Sequence, residues 1–431
     1  MNSGNKKFLG TYFKLSIEVL AKMVKEQIIK SFVGSRGGFS KEPLAAGGIF
    51  ASSSIVNCQL SIVNETSTPT PHYPNTPIPQ HRIKLLASLV FVSILFLIDN
   101  CTGRGQKPAN LLEINGSTMG TTYMVKIVKP GDEKFSSGDE LSRRVTVDID
   151  NLLKKVNQQM STWIEDSEIS RFNRYQESQW FEVSPETVLV ITEALRVSKE
   201  SHGAFDITVG PLVNLWGFGP PGTARQIPGE EQIKKVMGEI GYQKLSVRLS
   251  PPALKKEEPG IYCDLSAIAK GFGVDQVAAY LDSRGFSHYL VEIGGEVRAK
   301  GVNHKKQIWR VAIASPDPYG GSPYRKIIGL KDASMATSGD YFNYFEKDGV
   351  RYSHTIDPST GKPITHKLAS VTVVHESCMT ADAMATAINV LGPEKGYDLA
   401  LKENLPVFMI IREKDGFIER MTLRFHEMLK R

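Results

Sequence analysis

From Pro108 onward the spacing of apolar residues switches between period two and period 3.6. LLEINGSTMGTTYMVKIV alternates and is rich in β-branched residues, which predicts two strands around a Gly-rich turn. SRRVTVDIDNLLKKVNQQM repeats at helical spacing. So does PETVLVITEALRVSKESHG, with Pro185 near its start and Gly203 at its end. GEEQIKKVMGEIG predicts another helix, and AIAKGFGVDQVAAYLDSRG reads as helical from about Ala267. IYCDL reads as a strand ending at Asp264, and HYLVEIGGEVRAKG as a strand entering a glycine turn. QIWRVAIASP, RKIIGL, RYSHTIDP and LASVTVVHES are further strand candidates. TADAMATAINVLG predicts a helix ended by Gly392-Pro393, and VFMIIREKDGFIERMTL a hairpin on Asp415-Gly416. There is no short-period repeat. Strands and helices mix without strict βαβ alternation, so the fold class is α+β rather than doubly wound.

Before Pro108 this patterning is lost. Residues 34–80 are rich in Ser, Gly, Pro, Thr and Asn, as in NETSTPTPHYPNTPIPQ, and their lack of period predicts disorder. A 14-residue apolar run, Leu85 to Ile98, then follows Arg82 and Lys84. It is short for a transmembrane helix and right for a signal-peptide core; a buried helix is the alternative reading. Cys101 stands where a lipoprotein signal places its lipidated cysteine, although Ile98, Asp99 and Asn100 are not the small residues such a site prefers. A signal begins near its basic cluster, so residues 1 to about 80 read as an over-extended start or a dispensable leader. The expectation is a leader over 1–107, a folded domain over 108–431, and export.

Charge follows the same division. Of the net +6, residues 1–107 carry 12 basic and 5 acidic side chains, leaving 40 and 41 for residues 108–431. A domain balanced to −1 has no basic footprint for nucleic acid, and that class of partner is excluded. Cys58, Cys101, Cys263 and Cys378 form no disulfide framework and no zinc spacing, so Cys263 and Cys378 are read as buried apolar residues.

Candidate chemistry begins in MTADAMATAINVLG, where Asp382 and Thr386 stand four residues apart among Ala and Met. That spacing puts an acid and an alcohol on one helical face, one turn apart. In SAIAKGFGVD, small residues open a helix whose start can meet phosphate or metal, with Lys270 adding a cation. GAFDITVGPLVNLWGFG surrounds Asp206 with glycines and aromatics, a setting for a planar ring. Trp163 lies in MSTWIEDSEISRFN, Met119 in the turn MGT, and His354 in YSHTIDPSTGKPI, a candidate base. Taken singly, each has an ordinary alternative: a surface lysine, a core aromatic, a structural histidine.

Together and in order, MGTTY, MSTWIEDSEISRFN, GAFDITVGPLVNLWGFG, DLSAIAKGFGVD, VEIGGEVRAKG, SHTIDPSTGKPI and TADAMATA resemble the ApbE-like FAD:protein FMN transferases. The resemblance runs from about Gly116 to the C-terminus. It implies mixed, mainly antiparallel sheets with packed helices, related to the T-fold. It also implies transfer of the FMN half of FAD onto a Thr, sometimes Ser, hydroxyl of a partner protein, with release of AMP. By the same resemblance, Asp382, Thr386 and the carbonyl of Ala267 are ligands of Mg²⁺. Where some relatives place a second acid just before the threonine, this chain has Ala385. Met119, Trp163, Ala204, Phe205, Asp206, Asp264, Lys270 and Ile356 fall on positions lining the FAD site. Some relatives carry Glu at the Lys270 position. His354 falls on the position of the proposed base, and Gly294-Gly295 lets backbone approach the cofactor closely. The implied partners are flavoprotein subunits of membrane redox complexes, among them sodium-pumping NADH:quinone reductases and Rnf-type complexes. Two alternatives stay open: an FAD pyrophosphatase giving FMN and AMP, and a non-catalytic FAD-binding lipoprotein.

Overall fold

The computed structural model describes residues 110–129, 140–220, 225–316, 324–340 and 343–430. The predicted leader, the apolar run and Cys101 lie outside them. The first predicted hairpin forms as read. β1 (Leu111–Thr118) and β2 (Thr121–Val128) pair antiparallel around Met119 and Gly120, whose φ values of 49° and 72° give the left-handed turn a right-twisted hairpin needs. α1 (Glu140–Met160) buries Val145, Ile149, Leu153, Val156 and Met160 along one stripe. Then follow α2 (Glu168–Arg174), β3 (Phe181–Glu182), α3 (Pro185–Glu200), α4 (Gly210–Leu215), α5 (Glu230–Met237), β4 (Leu245–Leu249) and β5 (Pro252–Lys256). α3 has Ser184 as its cap and Pro185 in its first turn.

The central half of the chain builds the sheet core. α6 (Ala269–Ser283) precedes β6 (Tyr289–Ile293), β7 (Glu296–Lys300), β8 (Trp309–Ala314), β9 (Tyr324–Leu330) and β10 (Ala333–Gly339). Four short strands, β11 (Tyr344–Lys347), β12 (Val350–Ser353), β13 (Ile356–Asp357) and β14 (Lys362–Pro363), come before β15 (Leu368–His375). α7 (Cys378–Lys402), β16 (Val407–Glu413), β17 (Gly416–Met421) and α8 (Leu423–Met428) complete the described fold. Eight strands form one sheet in the order β1-β2-β6-β7-β10-β15-β16-β17, with every neighbouring pair antiparallel. β15 is buried without a break from Leu368 to Val374 because both of its faces are covered. Val371 and Val373 face the helical core, which includes Ile388 of α7. Val374 joins Trp309, Ile313 and Ile328 of the β8–β9 ribbon on the other face. The described architecture is therefore α+β with antiparallel sheets. No helix among the described residues is long and apolar enough to cross a membrane.

Two elements differ from the sequence reading. IYCDL is extended but joins no ladder. The Asn173 side chain brackets Cys263 instead, donating to its carbonyl at 2.9 Å and accepting from its N–H at 2.7 Å. The buried Lys256 ammonium donates to the carbonyls of Asn173 and Ile261. Backbone groups that a strand would satisfy are met here by side chains, which leaves the apolar pattern strand-like. RYSHTIDP is split into β12 and β13, with His354 between them. The first helical stretch of α7 ends at Gly392 as read, where φ is 78°, and a second stretch runs from Pro393 to Lys402. Cys263 and Cys378 are free and buried, as expected.

Candidate active site

A cavity of about 600 Å³ opens where the starts of α6 and α7 meet the β6–β7 turn. The two helices are fixed to one another by reciprocal capping. Asp275 of α6 accepts from the N–H groups of Cys378 and Met379, both at 3.0 Å, and from the Ser377 hydroxyl at 2.8 Å. Asp382 of α7 returns the contact, its Oδ2 accepting the N–H of Gly271 at 3.0 Å. Gly271 is the third residue of α6, where a helix leaves the backbone N–H without an intrahelical acceptor. Asp382 takes it, Ile268 departs from helical geometry at φ −148°, and the Ala267 carbonyl accepts no hydrogen bond from any described residue. Thr386, one turn beyond Asp382, lines the same cavity, and its hydroxyl has no hydrogen-bond partner among the described residues.

Charge is concentrated at this point. Lys270 Nζ lies 3.2 Å from Glu296 Oε1 and 3.8 Å from Asp382 Oδ1. Burial raises the Asp382 carboxyl above its usual range and pushes Glu296 up to about 8, with Lys270 opposing the shift in both. Burial also works against the Lys270 charge, but Asp382 and Glu296 outweigh it and hold the ammonium protonated.

On the opposite wall, His354 Nδ1 lies 2.9 Å from the carbonyl of Asn343. A proton on Nδ1 satisfies that carbonyl and leaves the Nε2 lone pair open. Burial lowers the imidazole below its ordinary value, which favours the neutral ring. Phe218 meets this ring edge-on at 6.4 Å.

Eleven of the twelve residues singled out in the sequence line the cavity: Trp163, Ala204, Phe205, Asp206, Asp264, Ala267, Lys270, His354, Ile356, Asp382 and Thr386. Met119 does not. It sits in the β1–β2 turn with its methyl against Gly273 of α6. Trp163 stands at the rim, 61% exposed, with its ring face available. Asp206 is committed internally, accepting from the N–H and hydroxyl of Thr208 and from the N–H of Tyr242, so it shapes the wall. Asp264 accepts from Ser266 through Oδ1. Gly294 and Gly295 turn β6 into β7 at φ 60° and 104°, and a side chain on Gly294 would strike Thr121 at 2.8 Å. The sequence reading missed Glu296, Asn343 and Phe218. Glu296 alternates with Arg298 and Lys300, a spacing that period two puts on one polar face, yet it is 3% exposed. Asn343 acts through its backbone, which no side-chain pattern reveals.

The ApbE family model matches residues 119–409. The FAD:protein FMN transferase of Vibrio cholerae is 45% identical over 343 residues, spanning 80% of this chain and 99% of that protein. The protein of the same description from Haemophilus influenzae is 42% identical over 80% of this chain and 98% of its own. Among solved structures, the flavin transferase ApbE from Vibrio cholerae superimposes with a TM-score of 0.68 at 44% identity, covering 75% of this chain and all (100%) of that one. The apo flavinyl transferase ApbE of Pseudomonas stutzeri gives a TM-score of 0.67 at 38% identity, covering 74% and 97%. An antiparallel α+β core with a polar cleft at two helix starts thus defines an enzyme of the transferase class. The chain belongs to the ApbE family.

Proposed function

We propose that this chain is a Mg²⁺-dependent FAD:protein FMN transferase that esterifies a Thr or Ser hydroxyl of a target flavoprotein and releases AMP. The observation that carries the reading is the carbonyl of Ala267, which accepts no hydrogen bond from a described residue while Asp382 caps the neighbouring helix start. Beside it stand Asp382 itself and the unpartnered Thr386 hydroxyl. Among the described residues no three His, Cys, Asp or Glu side chains form a metal cluster. The set instead offers one carboxylate, one hydroxyl and one carbonyl, all hard oxygens, and leaves positions for phosphate oxygens; this fits Mg²⁺. Bound there, Mg²⁺ supplies positive charge to the diphosphate.

The remaining chemistry belongs to side chains. His354 Nε2 takes the proton from the acceptor hydroxyl. The acceptor oxygen then bonds to the FMN phosphorus while the P–O bond to the AMP phosphate breaks, and AMP departs with that bonding pair. Lys270 presents its ammonium to the diphosphate, Trp163 offers a ring face at the mouth, and the second oxygen of Asp264 is open to a hydroxyl. The acceptor class is a flavin-carrying subunit of a membrane redox complex. Its meeting place with this chain is the periplasmic face of the inner membrane, reached through the N-terminal signal with Cys101 as the lipid anchor.

The deciding experiment combines the protein with FAD, Mg²⁺ and an acceptor carrying a flavinylation-type Thr. Covalent flavin fluorescence on the acceptor in a denaturing gel, together with chromatographic AMP, is the expected result. AMP and free FMN without labelled acceptor would replace transfer by hydrolysis, and neither product would leave flavin binding alone.

A further inference from the structure

Two buried carboxylates share one ammonium at the head of α6. Glu296 opens β7 directly after the glycine turn; its Oε1 is 3.2 Å from Lys270 Nζ, and its buried Oε2 has no hydrogen-bond partner. Lys270 also reaches toward Asp382 Oδ1, at 3.8 Å, longer than a hydrogen bond. Both carboxyl groups turn an oxygen toward the single ammonium of Lys270. A divalent cation on Asp382 would compete with Lys270 for the same oxygen, and two cations held that closely repel strongly away from bulk water. Lys270 needs another acceptor within its reach, and Glu296 Oε1 supplies it. The residue just before Thr386 is Ala385, so the second carboxylate near Lys270 comes from β7.

We propose that Glu296 is a positioning residue for the cation site. It holds the Lys270 ammonium off Asp382, so that Asp382 Oδ1 is open to a divalent cation and the lysine charge faces the substrate phosphates. This inference rests on the Mg²⁺ reading above and adds to it a residue that acts through another.

Mn²⁺ binding tests it directly, followed by the loss of the free-ion EPR signal on titration into the full chain, alone and with FAD. Glu296→Gln is expected to weaken Mn²⁺ binding about tenfold or more, as loss of an outer partner does elsewhere. Lys270→Met alone is expected to tighten it, a test that stands even if Glu296→Gln does not fold. Combining the two is expected to return the affinity to that of Lys270→Met. A double variant as weak as Glu296→Gln would make Glu296 a direct ligand and overturn the proposal, as would unchanged binding in Glu296→Gln or weaker binding in Lys270→Met. If the wild type binds no Mn²⁺ in either condition, the cation reading itself falls and takes this inference with it.

Discussion

The two walls of the cavity are built on different principles. The helix wall is held by long-range contacts: Asp275 and Asp382 cap each other's helices, and Gly271 is the point where the helices touch. The hairpin wall is local. His354 bonds the carbonyl of Asn343 eleven residues earlier, its own N–H donates to that carbonyl at 3.1 Å, and short aromatic strands support both. The charged groups sit on the wall that cannot move without breaking the core, and the His354 imidazole on the wall built from a small ribbon. A diphosphate needs fixed charges, because electrostatic stabilisation depends on groups that do not reorganise. A base that must meet an incoming protein hydroxyl tolerates a more exposed mount.

The largest effect belongs to the helix wall. Asp382→Asn keeps an acceptor for the Gly271 N–H while removing the charge, so the fold is expected to survive and turnover to fall by about three orders of magnitude, the worth of several kcal/mol of charge stabilisation. Steady-state kinetics beside a melting curve would check it. A variant that melts early and retains its rate would place Asp382 with the structural caps. Next comes His354→Gln, expected to lower kcat roughly 10²-fold or more with FAD binding kept. Lost FAD binding would move His354 from base to cofactor positioning. In the wild type the acid limb of the rate is expected below pH 6.5, because burial lowers the folded His354 value beneath the ordinary imidazole value of about 6.5. The sign for stability is the same. Between the lowered folded value and the unfolded one, the unfolded chain binds more protons, so this group's contribution is lost as pH falls through that window.

Gly271→Ala tests whether the helix wall is as rigid as its contacts imply. A methyl there would lie 2.7 Å from the carbonyl carbon of Cys378 and 2.8 Å from the Met379 Cα, backbone that cannot rotate aside. Forcing the helices apart is expected to cost about 1–3 kcal/mol of stability. It should also raise the Mg²⁺ requirement while leaving the His354 acid limb in place. An acid limb that shifted with it would mean the walls move as one.

How much could be read beforehand follows the same division. Asp382 and Thr386 were legible because helical periodicity puts i and i+4 on one face, and MGTTYMVKIV was legible because a two-residue turn leaves its mark in sequence. The open Ala267 carbonyl was not, since a backbone acceptor leaves no mark in side-chain spacing; only the family resemblance pointed to it. Lys256 and Asn173 hid an irregular segment behind a strand-like pattern, and Glu296 hid a buried acid behind surface alternation. Apolar spacing records which face is covered. It does not record which backbone groups are left without partners.

The smallest expected effect is the most discriminating for the hairpin wall. Phe218 meets His354 edge-on and continues into a stack with Phe345 at 5.5 Å, which in turn faces Tyr352 at 5.0 Å; Tyr352 lies 5.7 Å from Trp216. Trp216 is anchored in the core by its indole N–H on the Gly361 carbonyl at 2.9 Å. The stack is thus a chain of rings from core to base. Phe218→Leu keeps apolar volume but removes the ring edge, a contact of about 0.5–1.5 kcal/mol. Felt wholly at the base, that is roughly a two- to tenfold fall in kcat with KM for FAD unchanged. Because burial is what lowers the His354 value, loosening its cover should carry the acid limb upward toward pH 6.5. Phe345→Leu, one ring further out, should lower the melting temperature and leave the limb where it was. Equal shifts from both would make the aromatic stack a single support for the hairpin. No shift from either would leave the Asn343 carbonyl as the sole determinant of the base, and the hairpin wall would then be simpler than its packing suggests.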